Sequence, residues 1–266
     1  MLMSVQNLNF LYPKNRAFVW EQIAHKGTKA RFGKLFKTIA MSLIKKYGVI
    51  IFAILLLLHC LFIYIGETEL RTISKFLLIP FLAVYLLAAT PKTQAGYNLP
   101  AYAGLFFAFL GDVLLSRSGE QFFLFGMLAF IGTHISNSIY FLKIQKLDFS
   151  KGRPMLFAAI ILLIISSEVM SKTGSLLGDF KVPIMLYMAI ISTMAILAAN
   201  TINHTITKKL TLRYFIPGAG FFVLSDALLA LNKFLYHEPS LDILVMLTYG
   251  AAQCLLVLGF SRRGGN

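Results

Sequence analysis

An all-α polytopic membrane bundle with eight transmembrane helices is the fold this sequence predicts, and three observations carry that expectation. Of the 266 residues, 58% are hydrophobic and 14% charged, where a soluble domain carries about 25% charged residues. The mean hydropathy is +0.74, far from the low hydrophobicity that disorder requires. The apolar residues also fall in continuous runs close to the roughly 20 needed to cross about 30 Å of hydrocarbon as a helix. A membrane barrel would instead show alternation in segments of about ten residues. The scattered glycines and few glutamates supply no period for a collagen-like or coiled-coil design.

Taken in order, residues 1–47 form a basic cytosolic N-terminal segment. In it Phe32, Leu35, Phe36, Ile39 and Leu43 recur at helical spacing with Lys29, Arg31, Lys34 and Lys37 interleaved, a pattern that predicts an amphipathic helix lying on an anionic leaflet. No cleavable signal peptide is expected, because the first long apolar stretch begins only near Gly48. Residues 48–260 then supply eight spans, at about 48–66, 72–90, 97–116, 121–142, 154–171, 182–200, 215–236 and 240–260, and residues 261–266 are a short tail. Cys60 and Cys254 sit inside apolar runs and read as small core hydrophobes.

The formal net charge is +14, and in a membrane chain such an excess reports orientation before any nucleic-acid partner. With eight spans both termini share one side, and 19 of the 25 Lys and Arg residues fall there. The positive-inside rule therefore places both termini in the cytosol. A bacterial inner membrane is favoured over an endoplasmic reticulum, although both obey the same rule.

Inside the spans the informative residues are those that hydrocarbon penalises by a few kcal/mol each. The third span contains FLGDVLL with Asp112, and the seventh contains VLSDALL with Asp226. Each reads apolar, Leu, small, Asp, apolar, Leu, Leu, and the two spans lie four apart, so they run in the same direction. Their likeness suggests two four-helix halves related by an internal parallel repeat. At about 1.5 Å per residue both carboxylates fall between the midplane and the non-cytosolic face. Lys75, His134, Tyr249 and Gln253, with Asn232 and Lys233 almost two turns beyond Asp226, complete a polar set able to line one cavity.

Plainer readings stand beside these. Lys75 would compensate Asp112 and Lys233 would pair with Asp226 in a purely structural bundle, His134 would be a packing histidine, and Tyr249 and Gln253 would be interhelical glue. A zinc hydrolase wants about three protein ligands, whereas His59 and His134 are the only histidines in spans. No metal or other cofactor is therefore expected. Neither a G-x-S-x-G elbow nor a phosphate-binding G-x-x-x-x-G-K-[ST] loop occurs.

Three blocks carry a family resemblance: GDVLL at 111–115 followed by GMLAFIGTH at 126–134, GAGFFVLSDALLALNKF at 218–234, and VMLTYGAAQCLLVLG at 245–259. In these the chain resembles the YhhN-like lysoplasmalogenases, eight-span membrane proteins that cleave the vinyl ether bond of lysoplasmalogens. The resemblance covers roughly residues 48–260 and does not reach the basic prelude. It implies Asp112 and Asp226 as catalytic residues, with His134, Asn232, Lys233, Tyr249 and Gln253 around the substrate, to which the polar set read from the spans adds Lys75. It also implies a lysophospholipid and membrane lipids as partners, and no nucleic acid.

The implied chemistry suits two carboxyl groups. One donates a proton to the vinyl ether and the other meets the cation or water, the division of labour of glycoside hydrolysis. A proton-coupled transporter or a lipid-binding membrane protein would put the same acidic pair to another use, and stays open on the residues alone.

Overall fold

The computed structural model describes the backbone of residues 16–263 and the side chains of residues 37–263 other than Lys92. Among the described residues every regular element is helical. The long helices are α1 (Arg16–Ile65), α2 (Thr68–Ala89), α3 (Leu99–Leu115), α4 (Glu120–Ile144), α5 (Arg153–Thr173), α6 (Lys181–Asn200), α7 (Lys208–Tyr236) and α8 (Pro239–Arg262). Seven contain stretches long and apolar enough to cross a membrane, and α3 is a shorter apolar helix. The chain is thus an eight-helix membrane protein.

Two compact units are distinguishable, Met1–Lys46 and Tyr47–Asn266. In the first, helical backbone begins at Arg16. Lys29, Arg31, Phe32, Lys34, Leu35 and Phe36 of the expected amphipathic face lie outside the residues whose side chains are described, while Ile39 and Leu43 are exposed. The first apolar stretch runs over Lys37–Ile65, eleven residues earlier than the hydropathy boundary at 48. No proline or glycine pair stops the helix there, and once a helix is nucleated each added residue costs little.

In the second unit, short connections make consecutive helices antiparallel. α3 packs most extensively on α4, and α7 on α8. The third span is also trimmed, to Leu99–Leu115 from the expected 97–116, with Pro100 in its first turn and a 3-10 turn at Lys92–Gln94 before it. At 1.5 Å per residue α3 is about 26 Å long.

The half of the bundle nearest the α2–α3, α4–α5 and α6–α7 connections is filled by aromatic side chains. Tyr140 and Phe260 have ring centroids 4.3 Å apart, Phe141 and Phe215 5.3 Å, and all four are buried. Tyr140 donates to Asn98 Oδ1 at 3.1 Å, so its own buried hydroxyl is satisfied.

Gly259 permits the plug, since a Cβ there would overlap the ring of Phe215, which is 0% exposed and has nowhere to move. Gly259→Ala is expected to cost about 1–3 kcal/mol by overpacking, read as a lower thermal midpoint in detergent. An unchanged midpoint would show that the plug is looser than its contacts indicate. On the other side of α8, Gly250 accepts Leu56 of α1, whose Cδ2 would lie 2.5 Å from an added Cβ.

The opposite half is held by polar devices. α7 carries two turns of i→i+5 geometry, Thr211–Phe215 at the aromatic plug and Asn232–Tyr236 in this half, and the second ends at His237 in the left-handed region with φ 57°. Such turns insert one residue and re-aim the side chains beyond them. Asn232 clasps the following corner: its Nδ2 donates to Glu238 O at 3.0 Å and Asp242 Oδ1 at 2.8 Å, and its Oδ1 accepts from Glu238 N at 2.7 Å. Arg71 of α2 donates to the second oxygen of Asp242 at 2.9 Å, which ties α2 to α8.

Candidate functional site

Both acidic residues singled out in the sequence reach one cavity in this polar half. Its volume is about 360 Å³, and its lining includes Asp112, Asp226, Lys75, Arg117, Lys233 and Tyr249. Each carboxylate has its own tyrosine. Tyr249 on α8 donates to Asp112 Oδ2 at 2.8 Å, and Tyr187 on α6 donates to Asp226 Oδ2 at 2.5 Å. Phenol hydroxyls serve this purpose in a dry interior, since the ring packs while the hydroxyl meets a buried acceptor.

The two carboxylates differ in their remaining oxygen. Asp112 is 3% exposed, and its Oδ1 lies 3.6 Å from Lys75 Nζ, so both its oxygens are engaged. Asp226 has a side chain 16% exposed, and its Oδ2 takes the Tyr187 bond and lies 3.5 Å from His134 Nε2. Among the described residues Asp226 Oδ1 has no partner. The structural pairing of Lys75 with Asp112 is therefore present. The basic side chain nearest Asp226 is His134, and no ion pair joins Asp226 to Lys233.

His134 is 0% exposed and sits behind Tyr187, its Nε2 2.9 Å from the tyrosine oxygen. Because the single Tyr187 proton points to Asp226, Tyr187 must accept from His134, which assigns the Nε2–H tautomer to a neutral ring. Nδ1 then faces the interior without a partner among the described residues. The chain His134 to Tyr187 to Asp226 is continuous. An aromatic wall joins it to the other carboxylate, with Phe222 edge-on to His134 at 4.7 Å and to Tyr249 at 5.7 Å.

A second, narrower space of about 70 Å³ adjoins the cavity between α4, α5, α6 and α7. It is apolar, lined by Met127, Ile165, Met188 and Val223, with Tyr187 and Asp226 at its polar edge. The two spaces share Leu115, Phe123, Phe130, Leu229 and Asp226. Of the two carboxylates Asp226 alone lines both. The arrangement has the form of an amphiphile site, a cation-rich mouth continuing into an apolar slot with carboxylates between them.

A family model described as the YhhN family matches residues 70–260, an interval that contains every residue of this site. The chain belongs to the YhhN family. A protein named lysoplasmalogenase TMEM86A from Bos taurus is 30% identical over 160 residues, which covers 59% of this chain and 63% of that relative. Its namesake from Homo sapiens is 29% identical over 158 residues, with the same shares. The chain thus spans 63% of the length of these curated relatives. No solved structure matches.

Of the expected substrate-contacting residues, Lys75, Lys233 and Tyr249 line the cavity of this family member, as do both carboxylates. His134 lies behind the lining and meets Asp226 through Tyr187. Asn232 has both ends of its amide engaged at the α7–α8 corner. Gln253 is buried one turn beyond Tyr249, outside the cavity lining, and its Nε2 lacks a partner among the described residues. Sequence reasoning missed Tyr187, Arg71, Arg117 and Asp242. For Tyr187 a signal existed: a tyrosine six residues into an apolar helix must find an acceptor when buried, and Asp226 was available at the same end of the bundle.

Proposed function

We propose that this chain is a membrane-embedded hydrolase that cleaves the vinyl ether bond of lysoplasmalogens to a fatty aldehyde and a glycerophospho-alcohol, with Asp112 and Asp226 sharing the proton transfers. The observation that carries this reading is the asymmetry of the pair. Both carboxylates line the polar cavity, but Asp226 also borders the apolar slot and keeps one oxygen unengaged. The names of the curated relatives support the substrate class.

The chemistry follows from that placement. In a vinyl ether the proton goes to the β-carbon, the vinyl carbon that is not bonded to the ether oxygen. Asp226, at the border of the slot, donates it from Oδ1 to that carbon, and the double-bond electrons form the new C–H bond. The resulting oxocarbenium carbon takes the oxygen of water while Asp112 accepts the water proton. The hemiacetal hydroxyl then returns a proton to Asp226, the bond to the glycerol oxygen breaks, and Asp112 passes its proton to that oxygen. Both carboxyls end as they began, and one water is consumed. Tyr187 and Tyr249 hold the carboxyl planes through Oδ2 of each. Acid–base assistance of this kind contributes about 10²–10⁴ in rate. Both termini would lie in the cytosol, on the charge asymmetry of the loops.

The test is hydrolysis of lysoplasmenylcholine by the purified protein in D₂O, with mass spectrometry of both products. The expected aldehyde carries one deuterium on the carbon next to its carbonyl, because that atom was the β-carbon. An aldehyde without the label would remove the protonation step. Absence of any aldehyde would return the chain to the lipid-binding or transport class.

A further inference from the structure

The cavity holds more cations than its carboxylates use. Arg71 is paired with Asp242 at 2.9 Å, and Lys75 lies 3.6 Å from Asp112. Arg117 and Lys233 line the same cavity and have no carboxylate partner among the described residues. Both are exposed, one on the α3–α4 turn and the other in the last turns of α7. Each is braced by an aromatic ring instead of an acid. Arg117 Cζ lies 5.5 Å from the ring centre of Phe122, and Lys233 Nζ lies 5.4 Å from that of Phe123. Consecutive residues at the start of α4 thus hold two cations at one mouth. A cation over a ring is favourable, yet the ring takes up no N–H in a hydrogen bond, so the donors remain available for an anion.

We infer that Arg117 and Lys233 form a phosphate seat at the mouth of the cavity, which binds the anionic phosphate of a lysophospholipid and sets how deeply the ether enters. The inference rests on the proposed lysophospholipid reading of the cavity and adds its specificity-determining residues. The chemistry of the ligand fixes the order of contacts. Phosphate, glycerol, ether oxygen and tail follow one another along a lysophospholipid, and cations, carboxylates and apolar slot follow one another from the mouth inward. A guanidinium offers paired donors to a phosphate and an ammonium offers a point charge, so the two are complementary on one anion.

The experiment uses ligands that cannot be cleaved, so its outcome is independent of turnover. Affinities of a saturated 1-O-alkyl lysophosphocholine and of the matching 1-O-alkylglycerol, which lacks phosphate, are measured on the full-length protein in detergent, with inorganic phosphate as competitor. The wild type is expected to hold the phospholipid roughly tenfold or more tighter than the alkylglycerol, the scale of one charge-assisted hydrogen bond. Arg117→Gln/Lys233→Gln should bring the two to within about twofold, with alkylglycerol affinity retained as the sign of an intact fold. Equal affinities in the wild type, or a preference that survives in the double variant, would overturn the seat. Displacement of the lysophospholipid by micromolar inorganic phosphate would assign it to free phosphate and overturn the lipid assignment. A preference that behaves as expected in a protein releasing no aldehyde would leave the seat standing and remove only the hydrolase reading.

Discussion

Asp226→Asn is expected to lower aldehyde release by about 10³-fold, within the range assigned to a positioned general acid. The substitution is nearly isosteric, and its amide oxygen still accepts the Tyr187 hydroxyl that now meets Oδ2 at 2.5 Å. What it removes is the transferable proton at the position of Oδ1, the oxygen that has no other partner among the described residues. The non-cleavable alkyl lysophosphocholine should therefore bind the variant about as well as the wild type, and the detergent thermal midpoint should move little. In D₂O, recovered substrate should contain no vinylic deuterium, because no group remains to protonate the β-carbon. Aldehyde release above about a tenth of the wild-type rate would remove Asp226 from the acid role. Parallel survival of Asp112→Asn would reduce the acidic pair to buried structural polarity.

The eight helices were legible because hydrocarbon imposes a single strong rule, that backbone groups bond within the element, and apolar runs of span length have few other uses. Asp112 and Asp226 were legible for the complementary reason, since ionisable groups in such runs are costly and a matched pattern four spans apart is hard to attribute to chance. Their partners were less so. Lys233 looked like the cation for Asp226 because the two share a helix, but it lies in the i→i+5 turn that ends α7, over the ring of Phe123, and His134 with Tyr187 stands beside Asp226 instead. Helical periodicity assumes regular turns, and an inserted residue rotates everything after it.

Asn232 shows the limit from another direction. An amide seven residues before a proline reads equally well as a substrate ligand or a corner clasp, and the choice depends on where α8 begins. Arg117 lies on the turn between α3 and α4, whose own pattern is unremarkable, so only its spatial neighbours mark it. The extent of α1 was hidden because Lys37, Lys45 and Lys46 end a hydropathy run without ending a helix.

Asp112→Asn is expected to reduce turnover by about 10²–10⁴ as well, but at a different step and with a different isotopic signature. If Asp226 still protonates the β-carbon while water capture has lost its base, the oxocarbenium ion persists longer. It then returns a proton to Asp226, and substrate recovered from D₂O should gain deuterium at the vinylic β-carbon. The Asp226→Asn variant, with no donor, should not show this exchange. Stability should move too, because the substitution strands Lys75, whose side chain is 15% exposed and whose Nζ lies 3.6 Å from the Asp112 carboxylate. Removing one member of a largely buried pair leaves the other charge uncompensated, whereas removing both is often neutral. Lys75→Met/Asp112→Asn should therefore regain much of the thermal midpoint lost by Asp112→Asn and none of the turnover. Recovery of turnover in the double variant would mean that Asp112 served only to neutralise Lys75. Exchange without hydrolysis in Asp112→Asn, together with neither in Asp226→Asn, assigns protonation of carbon to one carboxyl and handling of water to the other.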